Sequence, residues 1–230
     1  SQRFSNKTHE KRTYVAIGSF LRNFGDKNSF DYIIIDVGPS SGALTRACFL
    51  VCDGFFIPMV PDRFNVQAIS TLTSILGRWI GEHAQIFGPF TDLGLPVSMG
   101  RPVFLGVIMQ NYKLHKGAAR KGYKFWMDKI PAKLEEKLLP ILRSFKTDDR
   151  DPSGGLDEKR CIVASIPDFQ SLSTVLQTAS RPIFAITQED TRIINDGRPY
   201  QGSVWDDAQE RMRKYKLEFE KIADRLEELR

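Results

Sequence analysis

Asp36 closes the apolar run Tyr32-Ile33-Ile34-Ile35 and leads into Val37-Gly38-Pro39-Ser40-Ser41-Gly42, a turn of small and hydroxyl-bearing residues. A carboxylate at the C-terminal end of a buried parallel strand lies in the crevice where such sheets bind ligands. The turn behind it can offer backbone N–H groups and hydroxyls to a phosphate or to metal-bound water. A plainer use fits the same residues, because aspartate after an apolar strand also serves as a turn or helix-capping residue. On these residues alone both uses stay open. Other chemistry is sparse. His9, His83 and His115 are scattered without metal-ligand spacing, and no Ser–His–Asp or Cys–His set is recoverable. Asp149, Asp151 and Gly154 lack the spacing of a calcium loop, so a solvated loop is expected there.

A second group is cationic. Lys113, His115, Lys116, Arg120, Lys121, Lys124 and Lys129 gather around Tyr112, Tyr123, Phe125 and Trp126. Lys116, Arg120 and Lys124 are spaced by four, which one helix would gather on one face. Such a face suits the phosphate backbone of DNA, and it equally suits an ordinary solvated surface whose aromatics pack inward.

The elements that must position these residues follow from periodicity. Lys11–Phe24 has helical spacing and is stopped by Gly25–Ser29. Phe30–Pro39 reads as a buried strand, since apolar residues on both pleat faces belong in a covered parallel sheet. Ala43–Cys52 is expected as helix, Gly54–Val60 as strand and Asn65–Ile80 as helix. Pro102–Met109 and Cys161–Ile166 are further strands, with helices expected over Gly117–Met127 and Ala132–Phe145. Pro182–Ile186 reads as a short extended piece, and Asp206–Arg230 as a long helix docked on its own sheet. Strands alternating with helices predict one α/β domain over 1–230, a doubly wound, mainly parallel sheet with helices on both faces. Segments 81–101 and 146–160 are glycine-, proline- or charge-rich and are expected as surface insertions.

At 230 residues and 41% hydrophobic, the chain can bury a substantial core. No run of 18 apolar residues predicts a membrane span, and Ser1–Arg12 is polar and basic, unlike a signal peptide. Cys48, Cys52 and Cys161 form no disulfide framework and suit the reduced interior of a cytoplasmic protein. A net charge of +5 permits an acidic partner without demanding one.

The stretch FDYIIIDVGPSSGALTRACFLVCDGFFIPMVPDRFNVQAISTL resembles the ParA/MinD family of partition and positioning ATPases. The features in order are Asp36, Pro39-Ser40, Asp53, and Pro58 with Pro61, followed by Phe64. PVFLGVIMQNY is similar to the family strand that ends near an adenine-contacting asparagine, here Asn111. SIPDFQSLSTVLQTASRPIFAI resembles a late family segment through Ile166-Pro167 and Pro182-Ile183. The resemblance spans roughly residues 30–190 and implies a P-loop NTPase-like fold, incomplete at the N-terminus. It implies ATP and Mg²⁺ as cofactors, with Asp36 holding Mg²⁺ through water as the catalytic carboxylate and Gly38, Pro39 and Ser40 as the switch turn. Asn111, Pro167 and Asp168 would surround the adenine, and Pro61–Phe64 would lie near a nucleotide-dependent dimer surface. Partition ATPases of this kind often bind DNA non-specifically, here through Lys116, Arg120 and Lys124, and work with a ParB-type or adaptor partner.

One part of that machinery is not in the sequence. A P-loop reads G-x-x-x-x-G-K-[ST], and no Gly-Lys-Ser or Gly-Lys-Thr occurs. Two explanations follow. The chain is part of a longer partition ATPase and inactive alone, or it is a degenerate, non-hydrolysing relative that binds DNA or a protein partner.

Overall fold

The computed structural model describes residues 8–38, 41–115 and 117–229. In chain order, α1 (Thr8–Asn28) and α2 (Ala43–Val51) precede β1 (Gly54–Met59), and α3 (Arg63–Asp92) leads to β2 (Val103–Gln110). Two short strands follow, β3 (Leu114–His115) and β4 (Ala118–Ala119), then α4 (Lys121–Met127) and α5 (Lys129–Lys133). A π-helical turn over Leu134–Leu138 passes into α6 (Leu139–Ser144). The described elements end with β5 (Ile162–Ile166), α7 (Leu172–Ala179), two short 3-10 turns and α8 (Gly202–Glu227). The protein is α/β, with a parallel sheet ordered β1-β2-β5 and an antiparallel hairpin of β3 and β4.

Contacts divide the chain into two compact units, one of residues 1–55, 67–104 and 133–157, the other of 56–66, 105–132 and 158–230. The first unit is mainly helical. Val15 of α1 packs with Ile86 and Phe90 of α3, and Phe49 of α2 lies against Trp79 with ring centroids 5.8 Å apart. α3 runs beyond Ile80 to Asp92 because its buried stripe continues through His83, Ile86 and Phe90 at helical spacing. Residues 146–157 are tied down rather than free. The Arg150 Nε donates to the Arg101 carbonyl at 2.6 Å and its Nη2 to the Asp53 carbonyl, while Arg143 donates to the Leu156 carbonyl at 2.9 Å. Asp151 accepts from the Ser153 N–H and hydroxyl and pairs with Lys146 at 3.1 Å, so it caps a turn there. The break in the helix at Leu134–Leu138 has a local cause. Pro140 lacks an N–H and its ring would collide with the Glu136 carbonyl in a continuous α-helix; the wider π turn accommodates it while Leu134 and Leu138 stay buried.

Phe30–Gly38, the described part of the expected buried strand Phe30–Pro39, is not a strand. Tyr32–Gly38 has no regular secondary structure, belongs to neither sheet, and leaves Ile34 82% exposed. A strand exists only as one side of a ladder, and among the described residues no neighbour supplies the other side. Gly25 and Ser29 also act differently from expectation. α1 continues through Gly25 to Asn28, and the chain leaves it at Ser29, whose φ of 54° is left-handed. The Ile33 side chain folds back to about van der Waals distance of Gly25.

The second unit holds the parallel sheet. β2 and β5 pair in register from Val107 with Ile162 to Gln110 with Ile166, with a shift between Val107 and Ile108. Asp62 starts α3 by accepting the Asn65 N–H at 2.7 Å, an N-cap contact. α8 docks as expected: Met212 and Tyr215 are buried with Ile166, Leu172 and Val175. Its Glu218 carboxylate accepts the Ser165 N–H at 2.7 Å, and its Arg225 donates to the Leu105 carbonyl at 3.1 Å. Pro182–Ile186, expected as extended, contains a 3-10 turn at Ile183–Ala185. No helix among the described residues is long and apolar enough to cross a membrane.

Candidate functional site at the C-terminal strand edge

β2 and β5 end side by side because they are parallel neighbours, and parallel sheets place their ligand crevices at that end. The Asn111 N–H donates to the Ile166 carbonyl at 3.1 Å, and the Asp168 N–H donates to the Tyr112 carbonyl at 2.9 Å. These two bonds join the residues after β2 to those after β5. Asn111 turns out of the strand with a φ of 56°, a left-handed conformation that asparagine tolerates better than most residues. Pro167 lies between the joined positions, half-buried like Asp168, while Asn111 is exposed.

A second layer holds the edge. One Asp168 carboxylate oxygen accepts the Gln170 N–H at 3.0 Å, and Gln170 takes the Arg211 guanidinium on its side-chain oxygen at 3.1 Å. The Tyr215 hydroxyl donates to the Asp168 carbonyl at 3.1 Å, and the ring stands edge-on to Phe169 with centroids 4.8 Å apart. Burial pushes the Tyr215 and Tyr112 phenols above the ordinary tyrosine value, so both remain protonated donors at neutral pH. The other Asp168 oxygen and the Asn111 amide have no partner among the described residues. That leaves a pure acceptor beside a group that both donates and accepts.

Asn111, Pro167 and Asp168, grouped only by the family resemblance, lie together at the ends of β2 and β5. Asp36 is not at a strand end, because Tyr32–Gly38 forms no ladder; its carboxylate is exposed on the first unit. Gly38 has open space around it, and Pro39 and Ser40 lie outside the described residues. The single helix expected over Gly117–Met127 is also corrected. The turn at Gly117, with a φ of 80°, joins β3 to β4, and α4 begins only at Lys121 with Arg120 as its N-cap. Arg120 therefore precedes the helix that carries Lys124, and Lys116 lies outside the described residues. Phe64 of the expected dimer surface is 79% exposed, and Pro61 is buried.

Sequence reasoning missed Gln170, Arg211 and Glu218. The Arg211–Gln170 and Glu218–Ser165 bonds span 41 and 53 residues, and no local pattern signals such a contact. Among the described residues no group of three or more His, Cys, Asp or Glu could hold a metal ion. The fold and site define a parallel-sheet α/β protein with a polar cluster at its C-terminal strand edge. Comparison of the chain with protein-family models, with curated proteins and with solved structures finds no match.

Proposed function

We propose that this chain belongs to a ParA-like ATPase with a P-loop NTPase-like fold, one that partitions plasmid or chromosomal DNA through ATP-dependent dimerisation and non-specific DNA binding. The convergence of Asn111, Pro167 and Asp168 at the ends of adjacent parallel strands supports the reading most. An adenine edge presents an amino donor beside ring acceptors. Asp168 can accept from the amino group, and the Asn111 amide can serve donor and acceptor together. ATP with Mg²⁺ would supply the phosphoryl group whose hydrolysis resets the dimer. Exposed Phe64 is the apolar group offered to a second protomer. The lack of a Gly-Lys-Ser or Gly-Lys-Thr in the sequence favours a second reading, a non-hydrolysing module that holds DNA or a ParB-type partner.

The product of the whole reading frame that encodes this chain tests both. A slow ATP hydrolysis that rises with added DNA is expected. Asn111→Ala should raise KM for ATP with little change in kcat. Hydrolysis absent from that product, with DNA binding kept, would replace the first reading by the second.

A further inference from the structure

Gln170 holds a backbone conformation that glutamine disfavours. Its φ of 55° is left-handed, where a Cβ crowds the following carbonyl. A residue stays in such a conformation only where its surroundings over-determine it, and sites of this kind gather where function needs a fixed geometry. Three bonds fix Gln170. Its N–H donates to the Asp168 carboxylate at 3.0 Å, and its carbonyl accepts the Ser173 N–H at 3.1 Å. The third comes from α8, where Arg211 Nη1 donates to the Gln170 side-chain oxygen at 3.1 Å.

Arg211, Tyr215 and Glu218 follow one another on α8 at spacings of four and three, so they share a face. Each bonds to the chain around the end of β5. Tyr215 and Glu218 reach main-chain groups, the Asp168 carbonyl and the Ser165 N–H. Arg211 reaches a side chain instead. Among the described residues it pairs with no carboxylate, and its other bond is a long one within α8, from Nε to the Asp207 carbonyl at 3.4 Å. Its link therefore runs through Gln170 to the one bond that orients the Asp168 carboxylate. An unfixed aspartate side chain spreads over several rotamers. Fixing one oxygen beforehand removes that ordering cost from binding and leaves the second oxygen free to accept from a ligand.

We propose that Arg211 and Gln170 are positioning residues that hold the Asp168 carboxylate to select a purine bearing a 6-amino donor. This deepens the nucleotide reading above and rests on it, because Asp168 must face the base. The selection is a difference between two ligands, so it is measured apart from overall affinity.

One test needs no nucleotide. Hydrogen exchange of the full chain, followed by NMR, reads the Gln170 N–H directly. Arg211→Ala should speed its exchange about fivefold, and Arg211→Lys, which keeps a donor, should recover most of the protection. The second test compares ATP with purine riboside triphosphate, which lacks only the 6-amino group, on the product of the whole reading frame. The parent should show a KM about tenfold lower for ATP, as a hydrogen bond to a charged acceptor provides. Arg211→Ala and Gln170→Gly should each cut that ratio to about threefold by raising KM for ATP alone. Gln170→Gly also relieves the left-handed backbone, so its Tm should hold while selectivity falls. Equal rises in both KM values, or faster exchange with the ratio unchanged, make the link structural only and overturn the proposal. Unchanged exchange in Arg211→Ala overturns it as well. A parent that uses both nucleotides equally overturns the placing of the amino group at Asp168, and a parent that uses neither overturns the ATPase reading. Those two failures appear in the parent, whereas a failure of the positioning residues appears only in the variants.

Discussion

The Tyr215 hydroxyl donates to the main-chain carbonyl of Asp168 at 3.1 Å, tying α8 to the loop that follows β5. The ring also closes the core formed by Ile166, Leu172 and Val175. One side chain therefore anchors the terminal helix and holds the backbone of the candidate site. Tyr215→Phe separates the two roles, since it keeps the ring and removes the donor. A loss of about 1 kcal/mol is expected, because a half-buried carbonyl gives up its partner. Calorimetry should show Tm lower by about 2–4 °C. An unchanged Tm would mean that packing alone anchors the helix.

His83 makes stability depend on pH. Its Nδ1 accepts from the Tyr14 hydroxyl at 2.7 Å, and its Nε2–H donates to the Ser98 carbonyl at 2.8 Å. Burial holds the imidazole below the usual histidine range; the Ser98 carbonyl opposes this, and the Arg46 and Arg101 charges add to it. The unfolded chain thus takes up the proton first. The stabilisation is complete above the ordinary histidine pKa of about 6.5 and is lost as pH falls below it toward the folded value. Urea midpoints measured from pH 7.5 down to 5 should fall, and His83→Gln should flatten that part of the profile.

Gly100 and Gly94 share a left-handed backbone, with φ of 69° and 68°, in different surroundings. A Cβ on Gly100 would lie 2.0 Å from His83 Cδ2, whereas one on Gly94 meets nothing within 4 Å. Gly94→Ala should cost about 1 kcal/mol, from backbone strain alone. Gly100→Ala should cost about 3 kcal/mol or more, since the His83 ring must move and give up its bonds. Equal losses in urea unfolding would show that the loop yields around His83.

Arg150 closes residues 146–157 onto the Arg101 and Asp53 carbonyls. Arg150→Ala should cost about 2 kcal/mol, the range for hydrogen bonds from a charged donor. Limited proteolysis should then cut within 146–157 faster than in the parent protein. No change in cleavage would leave the loop held by Arg143 and the buried Leu156 instead.

The Cys52 thiol is pushed up to about 12, mainly by burial, with the neighbouring Asp53 charge adding to it. Thiolate is the reactive form, so Cys52 should resist iodoacetamide at pH 8 in the folded protein and react after unfolding. Mass spectrometry of the alkylated peptides reads this directly; rapid native labelling would show a local opening at the end of α2.

Several elements were legible from local sequence. β1, β2 and β5 are short apolar runs bounded by breakers, and α3 and α8 carry their buried stripes in plain helical spacing. Asn111, Pro167 and Asp168 were placed by resemblance, and the adjacency of β2 and β5 puts them together. The contact of Tyr14 with His83 was not legible, because 69 residues separate them and neither stands in a pattern. The hairpin at Gly117 was hidden by an apparent four-residue period.

Hydrophobic period and breaker residues alone determined which segments of this chain favour helix or extended structure, because those preferences arise within a few residues. Tertiary structure decided which extended segments became strands. Tyr32–Ile35 is as apolar as β5, yet it forms no ladder while β5 pairs with β2. Backbone hydrogen bonds between strands need a partner at the right distance, and no property of a segment by itself supplies one. For the same reason Asp36 is set apart from a strand end, while Asp168, two residues beyond a paired strand, is held in place by Tyr112, Gln170 and Tyr215.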